Sequence, residues 1–142
     1  MGLMRAMDVA ASSLSAQRTR LEIASANIAN SETTRTEEGG PYRPREVFFV
    51  AGSLGENRPG DATRRAVQGI REVRVEIAER PPILRFQPGH PDSDDLGYVA
   101  YPDVNKIAET VNLIEASRSY EASVSVVKAI RSMLQSAVNL LR

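Results

Sequence analysis

The distribution of helix-breaking residues constrains this chain more than any other feature. All 8 prolines and 8 of the 9 glycines lie between residues 31 and 102. The two ends are therefore free to run as uninterrupted helices, and the middle is not. Residues 1–30 carry Met7, Leu14, Leu21 and Ile28 at a strict spacing of seven, with Leu3, Ala10 and Ala24 beside them and Gln17 as a polar interruption. That is the repeat of a helix that packs against other helices in a shallow supercoil. Residues 103–142 repeat the pattern with Leu113, Tyr120, Val127, Leu134 and Leu141, flanked by Ala116, Val124 and Ile130. Asp103, directly after Pro102, is the expected N-cap of this second helix.

The middle segment, residues 31–102, has the other periodicity. Arg45–Val50 is short and rich in β-formers, and Ile70–Ala78 alternates, with Val73, Val75 and Ile77 on one face. Ile83–Phe86 follows a Pro-Pro pair, as an edge strand would. The expected fold class is α+β. Long N- and C-terminal helices pair in a coiled-coil-like hairpin around a small β-rich, loop-rich middle module. The loops around 51–68, with Gly52, Gly55, Pro59 and Gly60, have no assigned structure.

Composition removes most chemistry. Cysteine is absent, so disulfides, thiolate metal sites and cysteine nucleophiles are excluded. The single histidine, His90, excludes a two-histidine metal cage and makes any hydrolytic triad depend on one residue. Lys+Arg and Asp+Glu are both 18, which gives none of the basic excess that nucleic-acid binders use. Only 2 of the 18 bases are lysines, and arginine suits planar contacts with protein carboxylates better than lysine does. His90 sits close to Asp92, Asp94 and Asp95, and this stretch is read as a solvated turn rather than a metal site. Glu37, Glu38 and Asp92 give no sign of the enclosed carboxylate pair that glycoside hydrolysis needs. No cofactor, nucleic acid or small-molecule substrate is expected. A two-helix pair with apolar and small residues on several faces leaves part of its apolar surface wet, and such a surface marks assembly. A soluble helical adaptor or export-chaperone-like module is the alternative.

Two blocks of residues carry a more specific signal. Ser13-Leu14-Ser15-Ala16-Gln17-Arg18 leads into Ala26-Asn27-Ile28-Ala29-Asn30, then Thr33-Thr34 and Gly39-Gly40-Pro41-Tyr42-Arg43. Pro88-Gly89-His90-Pro91-Asp92 leads into Gly97-Tyr98-Val99-Ala100-Tyr101-Pro102-Asp103-Val104-Asn105, followed by Ala116-Ser117-Arg118-Ser119-Tyr120-Glu121-Ala122. The chain resembles the axial proteins of the bacterial flagellum, and among them the proximal rod subunits of the basal body.

The resemblance implies a structural role without catalysis. It implies terminal helices that form the inner tube around an export channel, with the middle region further out. Implied partners are other copies of the chain, other flagellar rod proteins, rotor-ring and export-gate adaptor components at the rod base, and the flagellar type III export machinery. The implied location is the rod within the periplasm, reached without a cleaved signal peptide. No apolar h-region of a secretory signal is present near Met1.

The candidate assembly residues are Met7, Leu14, Leu21, Asn27, Ile28 and Asn30 in the first helix. In the second they are Leu113, Tyr120, Val124, Val127, Leu134 and Leu141. Asn27 and Asn30 are expected to end the first helix, by left-handed geometry or by bonding neighbouring backbone. Tyr42, His90, Tyr98 and Tyr101 are the candidate turn or interface residues of the middle module.

Overall fold

A computed structural model describes residues 2–53 and 68–140, with elements in the order α1 (Gly2–Ala29), β1 (Arg45–Ser53), β2 (Gln68–Ile77), β3 (Ile83–Phe86), β4 (Tyr98–Tyr101) and α2 (Lys106–Leu140). Leu141 and most of the 51–68 stretch lie outside the described residues.

The helices pair antiparallel. Ser13 and Ser123 share a hydrogen bond of 3.0 Å, and Arg20 Nη2 donates to Asn112 Oδ1 at 3.0 Å and lies 3.6 Å from the Glu115 carboxylate. Ala10, Ser13, Gln17, Arg20 and Ala24 follow one another at spacings of three and four, so they form one face of α1. Ala10 and Ala24 are buried, and the side-chain oxygen of Gln17 is buried as well. The matching face of α2 runs through Asn112, Ala116, Ser123 and Ile130, of which Ala116 and Ile130 are buried.

The centre of the helix contact is thus small and polar. Met7, Leu14, Leu21 and Ile28 flank it and are half-buried, as are Leu113, Val124, Val127 and Leu134. Tyr120 is an exposed residue at 36 %. Alanine and serine at the centre let two helices approach closely, while the larger heptad residues sit to the side of the contact.

The middle module holds four strands among the described residues, in two separate two-stranded antiparallel sheets, β1–β2 and β3–β4. β1–β2 pairs Val47 with Val75 and Phe49 with Val73, with an irregularity at Val50/Ala51, and lies along α1. Val73, Val75 and Ile77 fall on one face of β2 as expected, although Val75 and Ile77 are exposed. β4 was not foreseen. Its sequence, Tyr-Val-Ala-Tyr, is four residues long and closely followed by Pro102, too short to show an alternation of its own. It is recognisable only through its pairing of Tyr98 with Phe86 and Tyr101 with Ile83. Inward-facing Val99 and Tyr101 are buried, whereas Leu84, Phe86 and Tyr98 on the other face are exposed.

The N-cap of α2 is Asn105 and not Asp103. Asn105 Oδ1 accepts from the backbone N–H of Ile107 and of Ala108, both at 3.1 Å. Those are the second and third helical amides that a cap must satisfy, and Asp103 lies two residues too early to reach them.

The alanine at the centre of the helix pair has no spare volume. Ala116→Leu is expected to destabilise the chain by about 1–3 kcal/mol through overpacking, whereas exposed Ala122→Leu should stay within about 0.5 kcal/mol. Urea unfolding followed by circular dichroism separates the two.

Candidate assembly surface and the joint at the end of the first helix

Asn27 is 1 % exposed and lies near the end of α1. Its Nδ2 donates to the carbonyl of Arg45 at 2.8 Å, and its Oδ1 accepts from the N–H of Arg45 at 3.0 Å. The side-chain amide therefore pairs with the backbone of the first residue of β1 as a neighbouring strand would. Tyr42 completes the site by donating its hydroxyl to Asn27 Oδ1 at 2.9 Å. Burial raises the Tyr42 hydroxyl above its ordinary pKa, against a smaller opposing pull from Arg45.

Asn30 works differently from Asn27. Its Nδ2 donates to the carbonyl of Ala26 at 2.9 Å, and its Oδ1 accepts from Thr33 Oγ1 at 3.2 Å. Ser31 Oγ donates to the carbonyl of Ile28 at 2.7 Å. Side chains thus satisfy carbonyls of the last turn, a requirement of every helix end. The left-handed geometry expected of the asparagines is absent: among the described residues no non-glycine residue has positive φ. Asn27 stays helical because its side chain, not its backbone, makes the connection.

The second half of the joint is the loop from Gln87 to Gly97. The N–H of Asp92 donates to His90 Nδ1 at 3.1 Å, and the His90 ring stands edge-on to Tyr101 at 6.4 Å. Tyr101 donates to Gln87 Oε1 at 2.8 Å and carries the Arg85 guanidinium 4.6 Å above its ring. Asp92 is occupied by Thr34 Oγ1 at 2.8 Å and by Arg35 at 3.4 Å, which ties this loop to the segment after α1. Gly97 has φ of 82°, and a Cβ there would meet Phe86 at 2.9 Å and Pro88 at 3.1 Å, so any other residue is strained and crowded at this position. Lys106 at the start of α2 donates to Glu32, and this hydrogen bond with its charge holds the Glu32 carboxyl below its ordinary pKa.

Of the candidates, the structure brings Asn27 and Tyr42 into one bonded cluster and His90 and Tyr101 into another. Tyr98 is exposed and stacks edge-on to Phe86 at 5.4 Å. The heptad residues of the two helices lie along the flanks of the hairpin and do not form a single site. Ser13 and Ala16 belong to the small residues whose crowding on the first helix allows close approach; Arg20, Asn105, Asn112 and Ser123 were missed. Hydrophobic periodicity is blind to them, although Asn105 directly before an apolar-periodic stretch is a readable cap.

Among the described residues nothing resembles a reaction centre. A cleft of about 490 Å³ between α1, β1 and the start of α2 is lined by arginines, acids, amides and apolar residues, without serine, cysteine, histidine or lysine. Glu37 and Glu38 are exposed on a turn. No described helix is long and apolar enough to cross a membrane.

Three predictions concern the joint. Asn27→Ala should destabilise by about 1–3 kcal/mol, the penalty of leaving buried backbone groups of Arg45 unpaired. Asn27→Asp can restore the donor only when protonated, so its folded pKa lies above its unfolded one. This variant should therefore lose stability as pH rises through the unfolded aspartate range, seen in urea titrations between pH 3 and 7. In the unaltered chain, the raised Tyr42 pKa means that its contribution is present below about pH 10 and is lost as pH rises beyond that. Tyr42→Phe should remove this alkaline slope.

Comparison with known proteins places the two ends separately. Residues 7–35 match the family described as flagella basal body rod protein, and residues 96–140 match the flagellar basal body rod FlgEFG protein C-terminal family. The chain is 39 % identical to the flagellar basal-body rod protein FlgC of Borreliella burgdorferi over 100 % of this chain and 99 % of that protein. It is 36 % identical to FlgC of Salmonella typhimurium over 99 % and 98 %, and 33 % identical to FlgC of Bacillus subtilis over 94 % and 95 %. With relatives matched across nearly their whole length, the chain belongs to the FlgC family of flagellar basal-body rod proteins and is a structural subunit of that rod.

Proposed function

We propose that the chain polymerises through its terminal helices with copies of itself and with other rod proteins, forming the hollow shaft that surrounds the export channel and transmits torque. The observation that carries this reading is the packing of the hairpin. The α1–α2 contact is centred on small and polar residues, and apolar side chains remain exposed on α2, at Ile107, Val111 and Ile114 on its outer side and at Val126 and Met133 on its flank. Unpaired apolar stripes on both sides of Arg118 and Glu121 are a poor end state for a free helix and a good one for a helix that other helices will cover.

The finer assignments follow from this role. The subunit sits in the periplasmic part of the basal body, and its route there is the flagellar type III export machinery, without cleavage of a signal peptide. Rotor-ring and export-gate adaptor components at the rod base are its contacts at one end. A chain without cysteine suits passage through an export channel unfolded, because it cannot crosslink on the way.

A shaft under torsion needs many small contacts rather than a few strong ones. Interdigitating apolar side chains supply about 0.8 kcal/mol per buried CH₂, and arginine–carboxylate pairs fix register. Val126→Asp, on the exposed side of α2, should leave unfolding within about 0.5 kcal/mol yet abolish swimming while the chain is still exported. Leu14→Asp and Val127→Asp, on the half-buried flanks, should block assembly as well. Normal swimming in all three, with the chain present in purified basal bodies, would contradict assembly through these helices.

A further inference from the structure

Each of the two sheets is closed along one edge and open along the other. In an antiparallel pair, opposed residues alternate between bonding each other and turning their N–H and C=O outward. The N–H of Ala78 donates to the carbonyl of Pro44 at 2.8 Å, one step beyond the pairing of Ile77 with Arg45. That phase turns the backbone groups of Arg45 outward on β1, where Asn27 takes them, and those of Val73, Val75 and Ile77 outward on β2. In the second sheet the N–H of Gln87 donates to the carbonyl of Gly97 at 2.8 Å, one step beyond the pairing of Phe86 with Tyr98. Tyr98 is therefore outward on β4, and Asp94 takes both of its groups. The Asp94 carboxylate accepts the Tyr98 N–H at 2.7 Å, and the Asp94 N–H donates to the Tyr98 carbonyl at 2.8 Å. Leu84 and Phe86 are outward on β3. Among the described residues nothing bonds the outward groups of β2 or β3.

The two open edges match each other. Set antiparallel with Val75 opposite Phe86, β2 and β3 place Glu76 opposite Arg85 and Ile77 opposite Leu84. The four apolar side chains are exposed, at 42 % for Val75, 54 % for Ile77, 62 % for Leu84 and 64 % for Phe86. Both apolar pairs then fall on one face of the joined sheet, and the opposite charges on the other. Glu76 otherwise stands across from Glu46, a like charge that Arg80 engages. In this register the outward groups of Val75 meet those of Phe86, and those of Ile77 meet those of Leu84, each pair exchanging both N–H···O=C bonds.

We propose that neighbouring copies in the rod join their middle modules by this pairing, with the β2 edge of one copy added to the β3 edge of the next. This rests on copies standing side by side, as read above, and names a contact away from the terminal helices. The occupant is a second copy because the chain carries both halves of a complementary pair and does not bring them together itself. Between the two edges of one chain stand Pro81 and Pro82, which fix the backbone and offer no N–H. A cleft of about 480 Å³ also lies there, lined by Ile77, Pro82 and Pro102 among others. Two-fold pairings use the edges less well. β3 against β3 sets Arg85 against Arg85. β2 against β2 calls on Arg74, already held by Glu72, to face Glu76, and it leaves β3 open. Pairing the unlike edges covers both, and its repetition passes from copy to copy.

The absence of cysteine makes the contact testable in the full chain. Glu76 and Arg85 would form a non-hydrogen-bonded pair, with Cα atoms about 4.5 Å apart and within disulfide reach. Cells carry Glu76→Cys, Arg85→Cys or the double variant as their sole copy, and purified basal bodies are mildly oxidised. The double variant should give disulfide-linked dimers and higher multiples, and each single variant should give none. Dimers from a single variant would overturn the proposal in favour of a two-fold pairing. A disulfide confined to monomers of the double variant would overturn it in favour of a sheet closed within one chain. No disulfide in basal bodies that contain the double variant would overturn the edge contact and leave the rod reading intact. Absence of the unaltered chain from basal bodies would overturn both. Charge reversal covers the case in which the cysteines block assembly. Glu76→Arg and Arg85→Glu should each reduce swimming several-fold, and the two together should restore it. Normal swimming in both single reversals, or no recovery in the double, would also overturn the contact.

Discussion

The amide of Asn27 paired with the backbone of Arg45 is the interaction on which the arrangement of this molecule depends. Backbone groups buried against a helix need partners, and here the helix supplies one to the first residue of β1 through a side chain. That bond fixes where β1 begins, and therefore where the β1–β2 hairpin leaves the helix pair. Tyr42 closes over it, and Pro44 is buried beside it. Both polar atoms of the amide are engaged, Oδ1 by two donors and Nδ2 by the carbonyl of Arg45, which offsets the cost of burying so polar a group.

The helix pair follows a different logic. Its centre is alanine, serine, glutamine and an arginine–asparagine bond, which set register and orientation with little apolar burial. Polar groups in a helix seam specify one alignment at some loss of stability. The larger side chains are left to the flanks and the outer side, where a monomer gains least from them. In a rod subunit these are the surfaces that neighbours can cover.

The two ends of the hairpin differ in how tightly they are braced. Asn27, Asn30, the Asn105 cap, the Lys106–Glu32 pair and the Asp92 bonds to Thr34 and Arg35 all gather at one end. Toward the other end α2 carries Met133, Val138 and Leu140, all exposed. This polarity along the long axis is a property of the chain, and a directional structure such as a rod requires it of its parts.

The sequence by itself determined the two helices, the location of the middle module between them and the family. Helix periodicity is local, and the partition of proline and glycine leaves little freedom. It also marked Asn27, Tyr42, His90 and Tyr101 as residues with a role, because their neighbours form recognisable blocks. Only the tertiary structure decided which face of each helix is inside. The sequence offers two seams on the first helix, and the contact is centred on the one with Ala10, Gln17 and Ala24, while Met7, Leu14, Leu21 and Ile28 lie on its flank. The same holds for the joint. An asparagine near a helix end reads equally as a terminator or a connector, and its bond to Arg45 spans 18 residues of chain that no local pattern encodes. Local chemistry sets what a residue can do, and long-range packing selects which of those options is used.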